Sequence, residues 1–405
     1  MEGAGACNAE VCHVCPERDV IVYRVTWAFI GHCTGWGDGE EEGLCRAVNS
    51  RSVTRSITVP VPQSVPSKDS DMQALGINTP PGSGRLSILQ RHLTAVPVSG
   101  QVATVSHPTS FQYTLDNDLL TTEQRHFYEE NGFLVVKNLV SDQDIDNFRS
   151  AFEKVCRKEL EAPGLVVMRD VVIAKSEFVP DQKAITKIQD FQELPELFRY
   201  CSLPQILRYV ECFLGPNIMA MHTMLINKPP DAGKKTSRHP MHQDLHYFPF
   251  RPAERIVCAW TAMERIDRSN GCLVVIPGTH KGELKQHDYP EWEGGVNKMY
   301  HGVRDFDPNS PRVHLVMEKG DTVFFHPVLL HGSGMNKTAG FRKAISCHYA
   351  SSDCYYIDVK GTSQENIEKE ISELARKRYG LEEGITLKDA WFTRARCVKG
   401  ERLNM

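Results

Sequence analysis

Apolar and polar positions over the first 84 residues follow neither a 3.6-residue nor a two-residue period, and residues 46–84 are rich in Ser, Pro, Thr and Val. That pattern reads as a disordered lead over 1–84. From about residue 107 the pattern sharpens. Thr121-Thr-Glu-Gln124 is a capping box, and the helix it opens stops at Asn131-Gly132. Phe133 to Val140 predicts a strand. Ser141 caps a second helix with Ile145, Phe148, Phe152 and Val155 on one face. Further strands are expected at 257–263, 272–276, 313–317, 321–326 and 344–350, separated by Gly, Pro, Asn and Asp clusters. A late helix is expected from the Thr362-Ser-Gln-Glu365 box, burying Ile367, Ile371 and Leu374 and stopping near Gly380. Short strands after initial helices predict a mainly-β sandwich or jelly roll with helical buttresses.

Composition excludes several classes. Apolar residues make up 41% and charged residues 24% of the 405, which is ordinary globular usage. A net charge of −4 offers no basic field for nucleic acid. No apolar run approaches the ~18–20 residues of a spanning helix, so no integral membrane protein is expected. The opening MEGAGACNAEVCHVC lacks a secretory pattern. Five of the thirteen cysteines, Cys7, Cys12, Cys15, Cys33 and Cys45, fall early, and the rest are scattered as reduced, intracellular thiols would be. Cys12-His-Val-Cys15 has the spacing of half a zinc knuckle, but no partner pair follows.

Arg85-Leu-Ser-Ile-Leu-Gln-Arg-His92-Leu93 resembles a type 2 peroxisomal targeting signal. It is an amphipathic nonamer with Leu86, Leu89 and Leu93 on one face, a shape that a receptor groove can read. Its distance from Met1 suggests that 1–71 is an alternative-start or gene-model segment ahead of Met72. Residues 85–106 are then a targeting segment and linker.

The chemistry concentrates in RHPMHQDLHYFPF, residues 238–250. If this is a strand, His242 and Asp244 point to one face about 6.5–7 Å apart and can meet one ion. His331, in FFHPVLLHGSG, is the best third ligand. Two imidazoles and a carboxylate on one face leave three cis positions open, the arrangement for non-haem Fe(II) with a chelating cosubstrate and O₂. Arg342 follows eleven residues after His331, and its guanidinium can clamp a carboxylate through two hydrogen bonds. His239, His246, His280, His326 and His348 read as hydrogen-bonded structural histidines, with His246 the nearest competitor if the strand continues. A zinc hydrolase also uses two histidines and a carboxylate, but has no use for the arginine clamp. A halogenase replaces the metal carboxylate with a small residue, whereas Asp244 is present.

At FYEENGFLVVKNLV, MAMHTMLINKPP, RHPMHQDLHYFPFRP, NGCLVVIPGTHKG, EKGDTVFFHP and LLHGSG the chain resembles the phytanoyl-CoA dioxygenase family of Fe(II)/2-oxoglutarate oxygenases. The resemblance covers 107–405 and implies a double-stranded β-helix (jelly-roll, cupin-like) domain over 107–361, followed by a C-terminal helix and tail over 362–405. It implies His242, Asp244 and His331 as iron ligands. Arg342 and Ser333 would hold the distal carboxylate of 2-oxoglutarate, with Lys187, Met224 and Trp260 lining its pocket. Ascorbate would support the iron. The implied reaction is hydroxylation at C2 of a 3-methyl-branched fatty acyl-CoA, and of straight-chain ones by extension, opening peroxisomal α-oxidation. The loop before the iron strand carries Lys234, Lys235 and Arg238, expected here to meet CoA phosphates.

Overall fold

The computed structural model describes residues 111–169, 185–231, 233, 237–292, 295–380 and 385–405. The chain divides into units Met1–Gln101 and Val102–Met405, and every described residue lies in the second. The early cysteines, the nonamer at Arg85–Leu93, Lys234 and Lys235 lie outside the described residues.

The two opening helices form as expected. Helix α1, Thr122–Asn131, has the full Thr121–Gln124 capping box and ends on left-handed Gly132. Helix α2, Asp142–Cys156, is capped by Ser141 and buries Ile145, Phe148, Phe152 and Val155. Helix α3, Pro204–Leu214, was not legible as an element. Twelve strands build two sheets. They are β1 Phe133–Val136, β2 Val166–Arg169, β3 Ile185–Gln189, β4 Ile218–Lys228, β5 His239–His242, β6 Ile256–Ala262, β7 Leu273–Val275, β8 Val313–His314, β9 Thr322–Phe325, β10 His331–Ser333, β11 Arg342–Ser351 and β12 Arg396–Lys399. The major sheet runs β1-β9-β6-β11-β4-β3-β2, with β12 also paired to β4. The minor sheet runs β8-β7-β10-β5. All pairings are antiparallel, and the two sheets make a jelly roll.

Period-two alternation assigns the faces of the major sheet. Val257, Ala259, Phe324, Ile345, Cys347 and Tyr349 pack with Phe148, Phe152, Val210 and Phe213 of the helices. Cys258, Trp260, Val323, Phe325 and Ala344 turn the other way, against Leu273 and Val275 of the minor sheet. One face of each strand therefore buttresses the fold, and the opposite face lines the space between the sheets.

Three expectations change. The first strand stops at Val136, because Asp321 takes the Asn138 backbone N–H and the Lys137 ammonium. The late helix, α4 Glu365–Tyr379, begins after Gln364 and not from a Thr362 capping box. Gln364 is withdrawn to brace the neighbouring turn. Its Nε2 donates to the carbonyls of Leu245, His246 and Phe248 at 2.9, 3.1 and 2.9 Å, while Arg251 donates to its Oε1. Finally, the C-terminal segment is more than a helix and tail. It adds α5, Leu387–Arg394, and returns as β12 on β4.

All eight cysteines of the described residues are free thiols, and seven of them are buried.

Gln364→Ala should lower unfolding free energy by about 2–3 kcal/mol, because three buried carbonyls lose their donor. Chemical denaturation measures this, and a change under 0.5 kcal/mol would contradict the bracing role.

Candidate metal and cosubstrate site

His242 closes β5 and His331 opens β10, and the two are direct cross-strand partners. Their ring centroids lie 4.2 Å apart. The strands approach closely here because Gly332 follows His331. A Cβ at that position would sit 2.9 Å from Met241 Sδ and 3.0 Å from the carbonyls of His239 and Pro240.

Asp244 reaches the pair by a route the strand argument did not foresee. The strand ends at His242, and Asp244 starts a 3₁₀ turn, Asp244–Tyr247. The turn brings Asp244 Oδ1 to 3.2 Å from His242 Nε2 and 3.6 Å from His331 Nε2. It also removes the competitor. His246 faces away, its Nε2 3.0 Å from His301 Nδ1.

The three ligand atoms lie within 4.8 Å of one another, and all three residues are buried. His242 Nδ1 and His331 Nδ1 each lie 2.9 Å from a backbone carbonyl, of Pro240 and Leu329. A carbonyl only accepts, so each Nδ1 carries the proton and each Nε2 keeps its lone pair for a metal. Burial lowers the His331 pKa to about 4, so this ring is neutral at physiological pH. Burial works to raise the Asp244 carboxyl. The imidazoles of His331 and His348 beside it, with the hydrogen bond from His348, outweigh it and hold the group well below the carboxylate range.

Asp244, Cys258 and His348 form a second trio with equally close atoms. Their lone pairs are less available. His348 Nε2 lies 2.7 Å from Asp244 Oδ2 and donates to it, and burial pushes the Cys258 thiol up. His348 is therefore not a bystander. It occupies Oδ2 and leaves Oδ1 facing the two imidazoles.

Lys187, Met224, Trp260, Ser333 and Arg342 line the same cavity as the His–Asp–His trio, which holds about 800 Å³ of empty space including its mouth. Met224, Ile226 and Lys228 alternate down one face of β4 and all line it. Arg342 is buried, and its Nη2 donates to Gly271 O at 2.6 Å. Its Nε and Nη1 have no hydrogen-bond partner among the described residues. Burial lowers its pKa to about 10. Lys187 lies with its Nζ 5.1 Å from the Tyr300 ring centre, and burial lowers it to about 8.

A model of the family described as phytanoyl-CoA dioxygenase matches residues 128–344. The peroxisomal phytanoyl-CoA dioxygenase of Homo sapiens is 70% identical over 332 residues, covering 80% of this chain and 98% of the human one. The chain belongs to the phytanoyl-CoA dioxygenase family. A probable phytanoyl-CoA dioxygenase of Caenorhabditis elegans is 58% identical, covering 72% of this chain and 97% of its own. Among solved structures, EctD from S. alaskensis with 2-oxoglutarate and 5-hydroxyectoine aligns at a TM-score of 0.47 and 17% identity, over 61% of this chain and 82% of that one.

In this phytanoyl-CoA dioxygenase family member two site residues escaped the sequence reading. His348 reads from the sequence as a structural histidine, and no local pattern marks Lys228. The signal for Lys228 was the period of β4. Once Met224 lines the pocket, so do Ile226 and Lys228. Of the cationic loop expected to meet CoA, Arg238 is described, and it lies outside the cavity lining with its guanidinium carbon 3.4 Å from the Trp292 ring centre.

His348→Phe should weaken ferrous-ion binding by roughly 10–100-fold, because Asp244 loses the donor that orients it. Anaerobic metal titration reads this, with the thermal melt as a control for folding. Wild-type affinity in a folded variant would exclude the orienting role.

Proposed function

We propose that this chain is an Fe(II)- and 2-oxoglutarate-dependent oxygenase. It hydroxylates C2 of 3-methyl-branched, and by extension straight-chain, fatty acyl-CoA in the peroxisome, the first step of α-oxidation. The observation that carries the reading is a buried arginine, two of whose nitrogens have no hydrogen-bond partner among the described residues, lining the same cavity as two Nε2 lone pairs and an aspartyl oxygen. Those donors fit a dicarboxylate, and the trio fits a ferrous ion with open positions. A zinc hydrolase would leave Arg342 without a purpose.

Bound ferrous ion with 2-oxoglutarate would supply the activation of O₂, with ascorbate to keep the iron reduced. The chain supplies position and a dry cavity. His242, Asp244 and His331 would hold the metal. Arg342 and Ser333 take the distal carboxylate, and Lys187 adds positive charge for a dianionic ligand. Met224 and Trp260 flank its carbon chain and exclude water. The acyl-CoA phosphates meet Arg238, Lys234 and Lys235 near the start of β5. The Arg85–Leu93 nonamer engages the type 2 peroxisomal targeting receptor.

The decisive assay supplies a branched acyl-CoA, 2-oxoglutarate, Fe(II), ascorbate and O₂, to protein starting at Met1 and to protein starting at Met72. Succinate and a 2-hydroxyacyl-CoA are expected in equal amounts, and hydrolysis to free acid without succinate would sink the proposal. Arg342→Ala should raise the 2-oxoglutarate KM at least ~10-fold, since a charge-assisted pair is lost. Reversing charge at Lys234, Lys235 and Arg238 should raise the acyl-CoA KM alone. Lys187 also sets a pH limit. As pH rises through about 8 the unliganded ammonium loses its proton. Binding a dianion then requires proton uptake, so 2-oxoglutarate affinity should fall above pH 8. In Lys187→Arg the fall should move to higher pH, and an identical profile would remove Lys187 from the pocket's charge.

A further inference from the structure

Arg342 and Lys228 are register partners on β11 and β4, so two cations face each other across adjacent strands. Both are buried. Like charges placed directly opposite are destabilising, more so out of water. Among the described residues neither cation forms an ion pair with a carboxylate.

The two cations differ in what they have left to give. Arg342 keeps two nitrogens, Nε and Nη1, without a hydrogen-bond partner among the described residues. An ammonium has three donors, and Lys228 uses all three. It donates to the carbonyl of Ser237, to Gly334 O at 3.0 Å and to Ser333 Oγ at 2.9 Å. Ser333 Oγ is thus an acceptor on its strand side. Its own hydroxyl proton must go elsewhere, and the cavity that Ser333 lines is open to it.

We infer that Lys228 is a positioning residue for the cosubstrate. By donating to Ser333 Oγ it turns the serine proton into the cavity, and so pairs Ser333 with Arg342 as matched donors for one distal carboxylate. The inference rests on the reading of this pocket as a 2-oxoglutarate site. Lys228 does not touch the ligand. It fixes the direction of the donor that does, and it ties β4, β10 and the segment before β5 at that point. The bound carboxylate in turn supplies the negative charge that the facing cations lack. Burial, then Arg342, push the Lys228 pKa well below its ordinary value, and a carboxylate bound beside it opposes this and favours the three-donor ammonium.

The test compares two ligands that differ only at the distal end, 2-oxoglutarate and 2-oxopentanoate. Each is titrated calorimetrically into Fe(II)-loaded enzyme under anaerobic conditions. Lys228→Met should weaken 2-oxoglutarate about 10-fold, while 2-oxopentanoate changes less than about twofold. Lys228→Gln, which retains a donor, should fall between Met and wild type, and it serves if the Met variant does not fold. In the Ser333→Ala background, Lys228→Met should add little, because the two act as a unit. Equal weakening of both ligands, or full additivity with Ser333→Ala, would overturn the positioning role and leave a structural one. If wild type bound 2-oxopentanoate as tightly as 2-oxoglutarate, the cosubstrate reading itself would fail. Wild-type discrimination retained in full by both Lys228 variants would remove Lys228 alone.

Discussion

Alternation along the central strands is the constraint from which the rest follows. On β6, β9 and β11 every second side chain meets the helices, and the residues between face the minor sheet. The buttressed face carries large apolar groups, which lets the opposite face tolerate Trp260, His348 and Arg342 without loss of the core. A shift of one residue would send Arg342 into the helices and Ile345 into the cavity. Register therefore protects both the packing and the chemistry.

The metal trio depends on a second constraint, the end of β5. Continued as a strand, it would carry His242, Asp244 and His246 on one face. The turn at Asp244 selects two of the three; Gln364 and His287 hold it through backbone groups of residues 243–248, and the Gln243 side chain donates to the Val328 carbonyl. Gln364 comes from the segment before α4, so the C-terminal part of the chain shapes the metal site without lining it.

The charge balance of the cavity is lopsided by construction. Asp244 brings one negative charge, and three imidazoles surround it. At the other end sit Arg342 and Lys228, with Lys187 in the same cavity. Such a charge arrangement would suit a dianionic ligand at that end of the cavity.

Local pattern marked the two opening helices, the central strands to within a few residues and the candidate ligands His242 and Asp244, and the family resemblance added weight to His331 and to the arginine eleven positions on. These were legible because caps, period-two apolar runs and ligand spacing act over short stretches of chain. The strands β2, β3, β4 and β12, the turn at Asp244 and the roles of His348 and Lys228 were decided by tertiary structure. Largely apolar on both faces, β4 shows no apolar–polar alternation to read in the sequence before its faces are known. A lysine is assigned to solvent until the strand opposite places an arginine beside it. Whether a histidine orients a ligand or fills a core depends on which carboxylate its Nε2 meets, and here that partner lies 104 residues away.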